Sequence, residues 1–325
     1  MKTTVLSFLL FALTGSFTTY AQEQPRDRSR KPLKVLVISD LNSSYGSTTY
    51  SKEVTAVIGQ LDSIRPDIIL CAGDMVAGQK KSLTEEQIRS MWSGFERDVL
   101  TPVSTLKIPF GFTVGNHDAS PSYQLDRSLA ERFWKEQAAR TNLEFVDSTH
   151  YPFYYSYRKG HAFFISWDAA GSQVPEEVYA WMEKQLNSKA ARNARVRILL
   201  GHLPLYPIVE SKNRPGEVIA SADAALKFMN DHRIDLYISG HQHAYFPAFK
   251  GGVRLLNAGA IGDGPRKIMG HAAEPKKAFT VFEIPYRKAK KFAYHTLVPV
   301  TGEVIETESL PENVTGINGT LNREK

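Results

Sequence analysis

The chain has 325 residues, 42% hydrophobic and 23% charged, which is enough apolar surface for one large α/β domain or two small ones and excludes a low-complexity chain. A net charge of +6 favours anionic ligands in general; without a long Lys/Arg stripe interleaved with aromatics it does not argue a nucleic-acid partner, and none is expected. The single cysteine, Cys71, rules out an internal disulfide, so stability has to come from a core or from bound metal.

Met1-Lys2 gives a short positive start, Val5–Leu13 is a mostly apolar run, and Thr19-Tyr20-Ala21 ends in a small residue. This layout predicts a signal peptide over 1–21, cleaved after Ala21, and a periplasmic or secreted protein. The apolar run is about half of the ~20 residues a membrane span needs, so no stable membrane anchor is expected. A polar, Arg-rich leader over 22–32 follows, then one folded domain over 33–308 and a flexible, polar tail over 309–325.

Leu33–Ser39 is a largely apolar strand leading into Asp40. Near-unbroken apolar strands suggest burial on both faces, as in parallel sheets. Ser51–Ile64 has apolar residues at helical spacing, and Asp67–Ala72 is a second strand, ending at Gly73-Asp74. A helix follows, with Ile88, Met91, Trp92, Phe95 and Val99 on one stripe and a capping box expected at Ser82 and Glu85. Ile108–Val114 is a third strand, ending at Gly115-Asn116-His117-Asp118. Phe153–Tyr157 and His161–Trp167 read as an antiparallel pair, and Pro175–Leu186 as a helix with proline at its start. Val196–Leu200 ends at Gly201-His202, Ala220–Asp231 is helical, and Ile234–Ser239 ends at Gly240-His241. Shorter strands follow at Val253–Asn257, Ala278–Ile284 and Phe292–Val298, and Arg287–Lys291 is the densest basic patch. The predicted class is α/β, with two packed mixed sheets flanked by helices.

Five strand ends deliver polar residues: Asp40, Asp74, Asn116-His117, His202, and His241 with His243. Ligands of open α/β sheets sit beyond the carboxyl ends of strands, so these residues can converge. Carboxylate, amide and imidazole donors together suit Zn, Mn or Fe rather than Ca or Mg alone.

The ordered set Asp40-Leu41-Asn42, Gly73-Asp74, Gly115-Asn116-His117-Asp118, Gly201-His202 and Gly240-His241-Gln242-His243 resembles the calcineurin-like metallophosphoesterase family over roughly Lys34 to Gly262. The resemblance implies an exported, metal-dependent hydrolase of phosphate esters, acting on a small phosphorylated substrate as a phosphomonoesterase or phosphodiesterase. It implies two metal ions, divalent or trivalent, with Asp74 bridging both, Asp40 and His243 on one, and Asn116, His202 and His241 on the other. His117 would protonate the leaving oxygen or steady the phosphoryl group, and Asp118 could orient its imidazole. Two cations about 3.5–4 Å apart hold phosphate oxygens and generate hydroxide near neutral pH.

One position departs from the family pattern: Asn42 stands where histidine is usual. Asn42 then ligates through a weaker donor, or contacts substrate while Tyr45 or a water fills the gap. The related purple acid phosphatases place a tyrosine where this chain has Ala77, so their iron–tyrosinate site is not expected. Tyr45, Asp168 and Arg266 are the substrate-side candidates; His161, His232, His271 and His295 have no motif partner, and His150 precedes the aromatic stretch Tyr151–Tyr157, which could line a substrate cleft or, by default, pack in the core. Two other readings stay open: a non-catalytic phosphate-ligand binding protein with a degenerate metal site, and a nuclease. Metal pair and oligomeric state are left open by the pattern.

Overall fold

The structure is a computed structural model describing residues 31–262, 264–286 and 292–324. The expected signal peptide, nearly all of the leader, Asp263 and the basic patch at 287–291 lie outside the described residues. Among the described residues, no helix is long and apolar enough to cross a membrane.

The first sheet is built on three parallel strands, β1 (Leu33–Ile38), β2 (Ile68–Cys71) and β3 (Phe110–Phe112). The second begins with β4 (Glu144–His150), β5 (Tyr154–Lys159), β6 (Ala162–Ser166), β7 (Val196–Leu200) and β8 (Leu236–Ser239), and continues with β9 (Tyr245–Lys250) and β10 (Val253–Ala258). β11 (Phe279–Ile284) and β12 (Tyr294–Leu297) return antiparallel to the first sheet, whose order is β12-β11-β1-β2-β3. β13 (Asn313–Gly316) and β14 (Gly319–Arg323) complete the second, in the order β13-β14-β9-β10-β8-β7-β6-β5-β4. Strands β6, β7, β8 and β10 run parallel at its centre. All four residues of β2 and of β8 are buried, in keeping with the apolar sequence of β2 and the largely apolar one of β8, which ends at Ser239. The two sheets touch where the Tyr155 hydroxyl of β5 donates to the Phe112 carbonyl of β3 at 2.6 Å.

Helices α1 (Lys52–Gly59) and α2 (Leu61–Ile64) follow β1. The single expected helix is interrupted at Gln60, whose φ of -92° and ψ of 1° leave the helical region. Helix α3 (Glu85–Phe95) runs through one π turn (Glu96–Leu100) into α4 (Thr101–Thr105), with the expected stripe buried. Its capping box lies two residues later than expected. Thr84 is extended, its hydroxyl accepts from Gln87 N at 3.2 Å, and Gln87 Oε1 accepts from Thr84 N at 2.9 Å. Next come α5 (Asn116–Ala119) and α6 (Gln124–Gln137), then α7 (Glu176–Leu186), α8 (Lys189–Asn193) and α9 (Ala222–Asp231).

Helix α6 was not expected; its Trp134 is fully buried and stacks on Phe112 with ring centroids 3.7 Å apart. The carboxyl-terminal segment also corrects the expectation of a flexible tail. β13 and β14 form a hairpin that adds to the edge of β9 and buries Val314 and Leu321. Two apolar side chains and an edge that needs partners are enough to dock it.

Candidate metal centre

The predicted ligands lie just beyond the carboxyl ends of β1, β2, β3, β7 and β8. Asp40, Asp74, His241 and His243 all have positive φ, at 51°, 54°, 67° and 51°. For non-glycine residues this conformation costs about 1–2 kcal/mol each, so surrounding bonds have to impose it. They do. Asp40 N donates to the Gly73 carbonyl at 3.0 Å, and Leu41 N and Asn42 N both donate to the Asp74 carbonyl, at 2.9 and 3.0 Å. Across the sheets, His241 N donates to Asp40 Oδ2 at 3.1 Å, and His117 N donates to Asp74 Oδ1 at 2.8 Å.

Two motif glycines are set by close approach. A Cβ on Gly115 would lie 2.1 Å from Asp74 Oδ1, and one on Gly73 would lie 2.7 Å from His202 Nδ1. Only hydrogen fits between these loops.

Asp74, His202 and His241 bring three donor atoms within 4.8 Å of one another, and Asp40, Asp74 and His243 do the same. Asp74 is common to both groups. Its Oδ2 is buried, accepts no hydrogen bond, and faces His202 Nε2 at 3.2 Å. Asn116 joins the first group, its Oδ1 3.0 Å from His202 Nε2. In the second group His243 Nε2 stands 3.1 Å from Asp40 Oδ1.

Burial would raise the Asp74 carboxyl, yet His202 and His117 hold it well below the usual range. Burial likewise pushes the His202 imidazole down, and Asp74 overrides it, leaving it above its ordinary value. Burial lowers His241 to about 3 although Glu217 opposes it, which keeps that ring neutral, the form that ligates metal. A buried, unsatisfied carboxylate oxygen shared by two mixed O/N donor groups is what a pair of transition-metal cations would satisfy.

A family model described as calcineurin-like phosphoesterase matches residues 33–245. The chain belongs to this family. Among solved structures, the purple acid phosphatase PPD1 from yellow lupin (Lupinus luteus) seeds is similar at 17% identity and a TM-score of 0.63, over 85% of this chain and 53% of that one. This calcineurin-like chain therefore spans about half the length of the lupin chain. GAP50, the anchor in the inner membrane complex of Plasmodium, is similar at 16% identity and a TM-score of 0.54, with 90% of each chain covered. PhoD is similar at 11% identity and a TM-score of 0.55, over 85% of this chain and 72% of that one. At these identities the likeness is one of fold. No curated protein matches the chain.

The remaining predicted residues of this family member divide into those at the centre and those displaced from it. Asn42 is 93% buried by its 7% exposure, and its backbone is tied to Asp74, but its side-chain amide has no hydrogen-bonding partner among the described residues. Ala77 is buried at the position where the purple-type tyrosine would stand. Tyr45 is exposed and stacks on His117, with ring centroids 5.3 Å apart.

Asp118 does not orient His117. Its Oδ1 accepts from Gly115 N at 2.5 Å and its Oδ2 from Met75 N at 2.6 Å, while His117 Nδ1 is buried without a partner. The carboxylate instead pins the Gly115 loop to the Asp74 loop. Asp168 is not free for substrate, because its carboxylate is engaged by Arg127, whose guanidinium also donates to the Ala119 carbonyl at 2.7 Å. Arg266 braces the His241 loop from behind, with Nη1 donating to the His241 carbonyl at 3.0 Å and its own amide to the His243 carbonyl at 3.1 Å.

Two contributors carry no sequence signal of their own. Gln79 Oε1 accepts from Asn116 Nδ2 at 3.0 Å, which turns Asn116 Oδ1 toward His202. Gln242, the variable residue of the Gly-His-x-His motif, accepts from Ile208 N at 3.0 Å and Val209 N at 3.3 Å.

Proposed function

We propose that this chain is an exported hydrolase of small phosphate esters, monoesters or diesters, working with two metal ions of the Mn, Zn or Fe kind. The observation that carries the reading is Asp74, a buried carboxylate shared by the Asp40/His243 group and the His202/His241 group. A cation pair there would hold the phosphoryl oxygens and make an attacking water more acidic.

The chain's own residues do the rest. Asp40, Asp74, Asn116, His202, His241 and His243 would hold the ions. Asn116 is presented by Gln79, so its amide oxygen stays turned inward. His117 has Nδ1 enclosed, which leaves Nε2 as the ring nitrogen able to hand a proton to the leaving oxygen. Tyr45 covers one face of that ring and is itself exposed. The amino-terminal pattern of 1–21 supports action in the periplasm or outside the cell.

Metal analysis of the purified protein, together with hydrolysis of nitrophenyl phosphate mono- and diesters, tests this reading. Two bound metals and turnover of at least one ester are expected. Two metals with no cleavage of either class would sink the enzymatic reading in favour of a phosphate-ligand binding protein.

A further inference from the structure

Each imidazole of the centre has one ring nitrogen fixed by an acceptor, and one of the three is fixed differently from the others. His202 Nδ1 lies 2.7 Å from the Ala72 carbonyl, and His243 Nδ1 lies 2.9 Å from the Gly264 carbonyl. Both rings therefore present Nε2 to the carboxylates, at 3.2 Å from Asp74 and 3.1 Å from Asp40. His241 is reversed: its Nε2 lies 2.7 Å from Glu217 Oε2. An ionised carboxylate only accepts, so Nε2 carries the proton and Nδ1 keeps the lone pair.

Glu217 lies in the long connection between β7 and α9, outside every motif of the chain. It is itself held on both oxygens. Lys212 Nζ donates to Oε2 at 2.8 Å, and Arg214 donates to Oε1 from Nη2 at 2.9 Å and from Nε at 3.3 Å. The carboxylate is only partly exposed, at 18% of its side chain; Lys212 is enclosed with it at 14%, while Arg214 reaches it from the surface.

We propose that Glu217 is the positioning residue for His241. It fixes the ring with Nδ1 facing the metal position beside Asp74 and His202, and it strengthens that nitrogen as a donor by accepting the Nε2 proton. Histidines that ligate metal commonly donate their other N–H to a carboxylate or carbonyl, and a charged acceptor is the stronger of the two. Here the centre uses two carbonyls and one carboxylate. Lys212 and Arg214 anchor Glu217 at this distance. This inference rests on the reading of the site as a metal centre.

The test uses the purified full chain stripped of metal by a chelator, as wild type, Glu217→Gln and Glu217→Ala. Co2+ is titrated against a competing chelator dye, and its visible absorption bands and the thermal midpoint of the metal-free protein are recorded. Glu217→Ala is expected to lose about 10- to 100-fold in affinity at one of two Co2+ sites. The other site stays unchanged, the visible band of the weakened site shifts, and the metal-free midpoint stays near wild type. Glu217→Gln keeps an uncharged acceptor and is expected to lose less; it carries the test alone if the alanine variant does not fold. Wild-type affinity and spectrum in both variants would overturn the proposal, as would equal loss at both sites with a lowered metal-free midpoint. A wild type that takes up no Co2+ would overturn the metal-centre reading itself, a result distinct from either of these.

Discussion

The ring of Tyr45 lies over the imidazole of His117, with planes 29° from parallel, and Tyr45 is the exposed partner of the two. His117 is thus held by an aromatic face and by its own backbone, whose amide donates to Asp74 Oδ1 at 2.8 Å, and no carboxylate touches its ring nitrogens among the described residues. A residue placed this way can move a proton without holding a metal. His117→Ala is therefore expected to lower kcat by about 100- to 10,000-fold with both metals retained. Steady-state kinetics alongside metal analysis decides it, and metal lost together with activity would refute the assignment.

Asp118→Asn is expected to act on stability first. Its two oxygens accept two buried backbone N–H groups, from Gly115 and Met75, and an asparagine offers one oxygen where two are used. One amide is left facing an NH2 group, which costs about 1–3 kcal/mol. Urea unfolding should show that loss. An unchanged midpoint with a displaced pH–rate profile would instead return Asp118 to the role of orienting His117.

Asp126, on the first turn of α6, is 2% exposed, and neither of its oxygens has a hydrogen-bond partner. Burial, helped by Asp118 and Asp74, raises its carboxyl from 3.8 to about 8. Between those two values the unfolded chain has released the proton and the folded chain has kept it. Stability contributed by this group therefore falls as pH rises through that window, by at most about 1.4 kcal/mol per pH unit. Asp126→Asn removes the dependence. Relative to wild type the variant should gain stability from pH 5 to pH 8, read from urea midpoints of the metal-free proteins. A difference that stays constant with pH would show that Asp126 ionises normally.

Removing residues 311–325 is expected to destabilise the domain by roughly 3–6 kcal/mol, the burial of one valine and one leucine side chain. The cut also exposes the β9 edge and breaks the bond from Arg254 to Glu324 at 2.7 Å. Asn318 Nδ2 donates to the Leu205 carbonyl at 2.7 Å, so the hairpin also steadies the connection that carries Glu217. Thermal denaturation and light scattering check this; a truncated chain with the full-length midpoint would mean that the hairpin adds nothing.

Where burial is two-sided, the sequence is easy to read. β2 and β8 are short apolar runs closed by Gly-Asp and Gly-His, and the polar residue after each run is a site residue. The ordered motif is therefore legible in the sequence itself. Helix α6 was harder, because Leu125 is exposed and Asp126 is buried on its first turn, which blurs the apolar stripe of Leu129, Phe133 and Trp134. The terminal hairpin buries only one face of two short strands in a polar, Gly/Asn-rich segment, so its period is too brief to register. Gln79 and Glu217 act from loops, where spacing carries no information and only three-dimensional proximity reveals a role. Asp118 and Asp168 look available in sequence and are occupied in space, by backbone amides and by Arg127.

Nine non-glycine residues among those described have positive φ, and four of them are Asp40, Asp74, His241 and His243. At each, glycine would relax the backbone while deleting a donor atom. Stability and chemistry thus pull these positions in opposite directions. A redesign that ranked substitutions by conformational ease alone would favour glycine at all four. The outcome would be a sturdier two-sheet scaffold with nothing left to hold a cation, so any thermostabilised version of this fold should be screened for metal uptake before its melting temperature is admired.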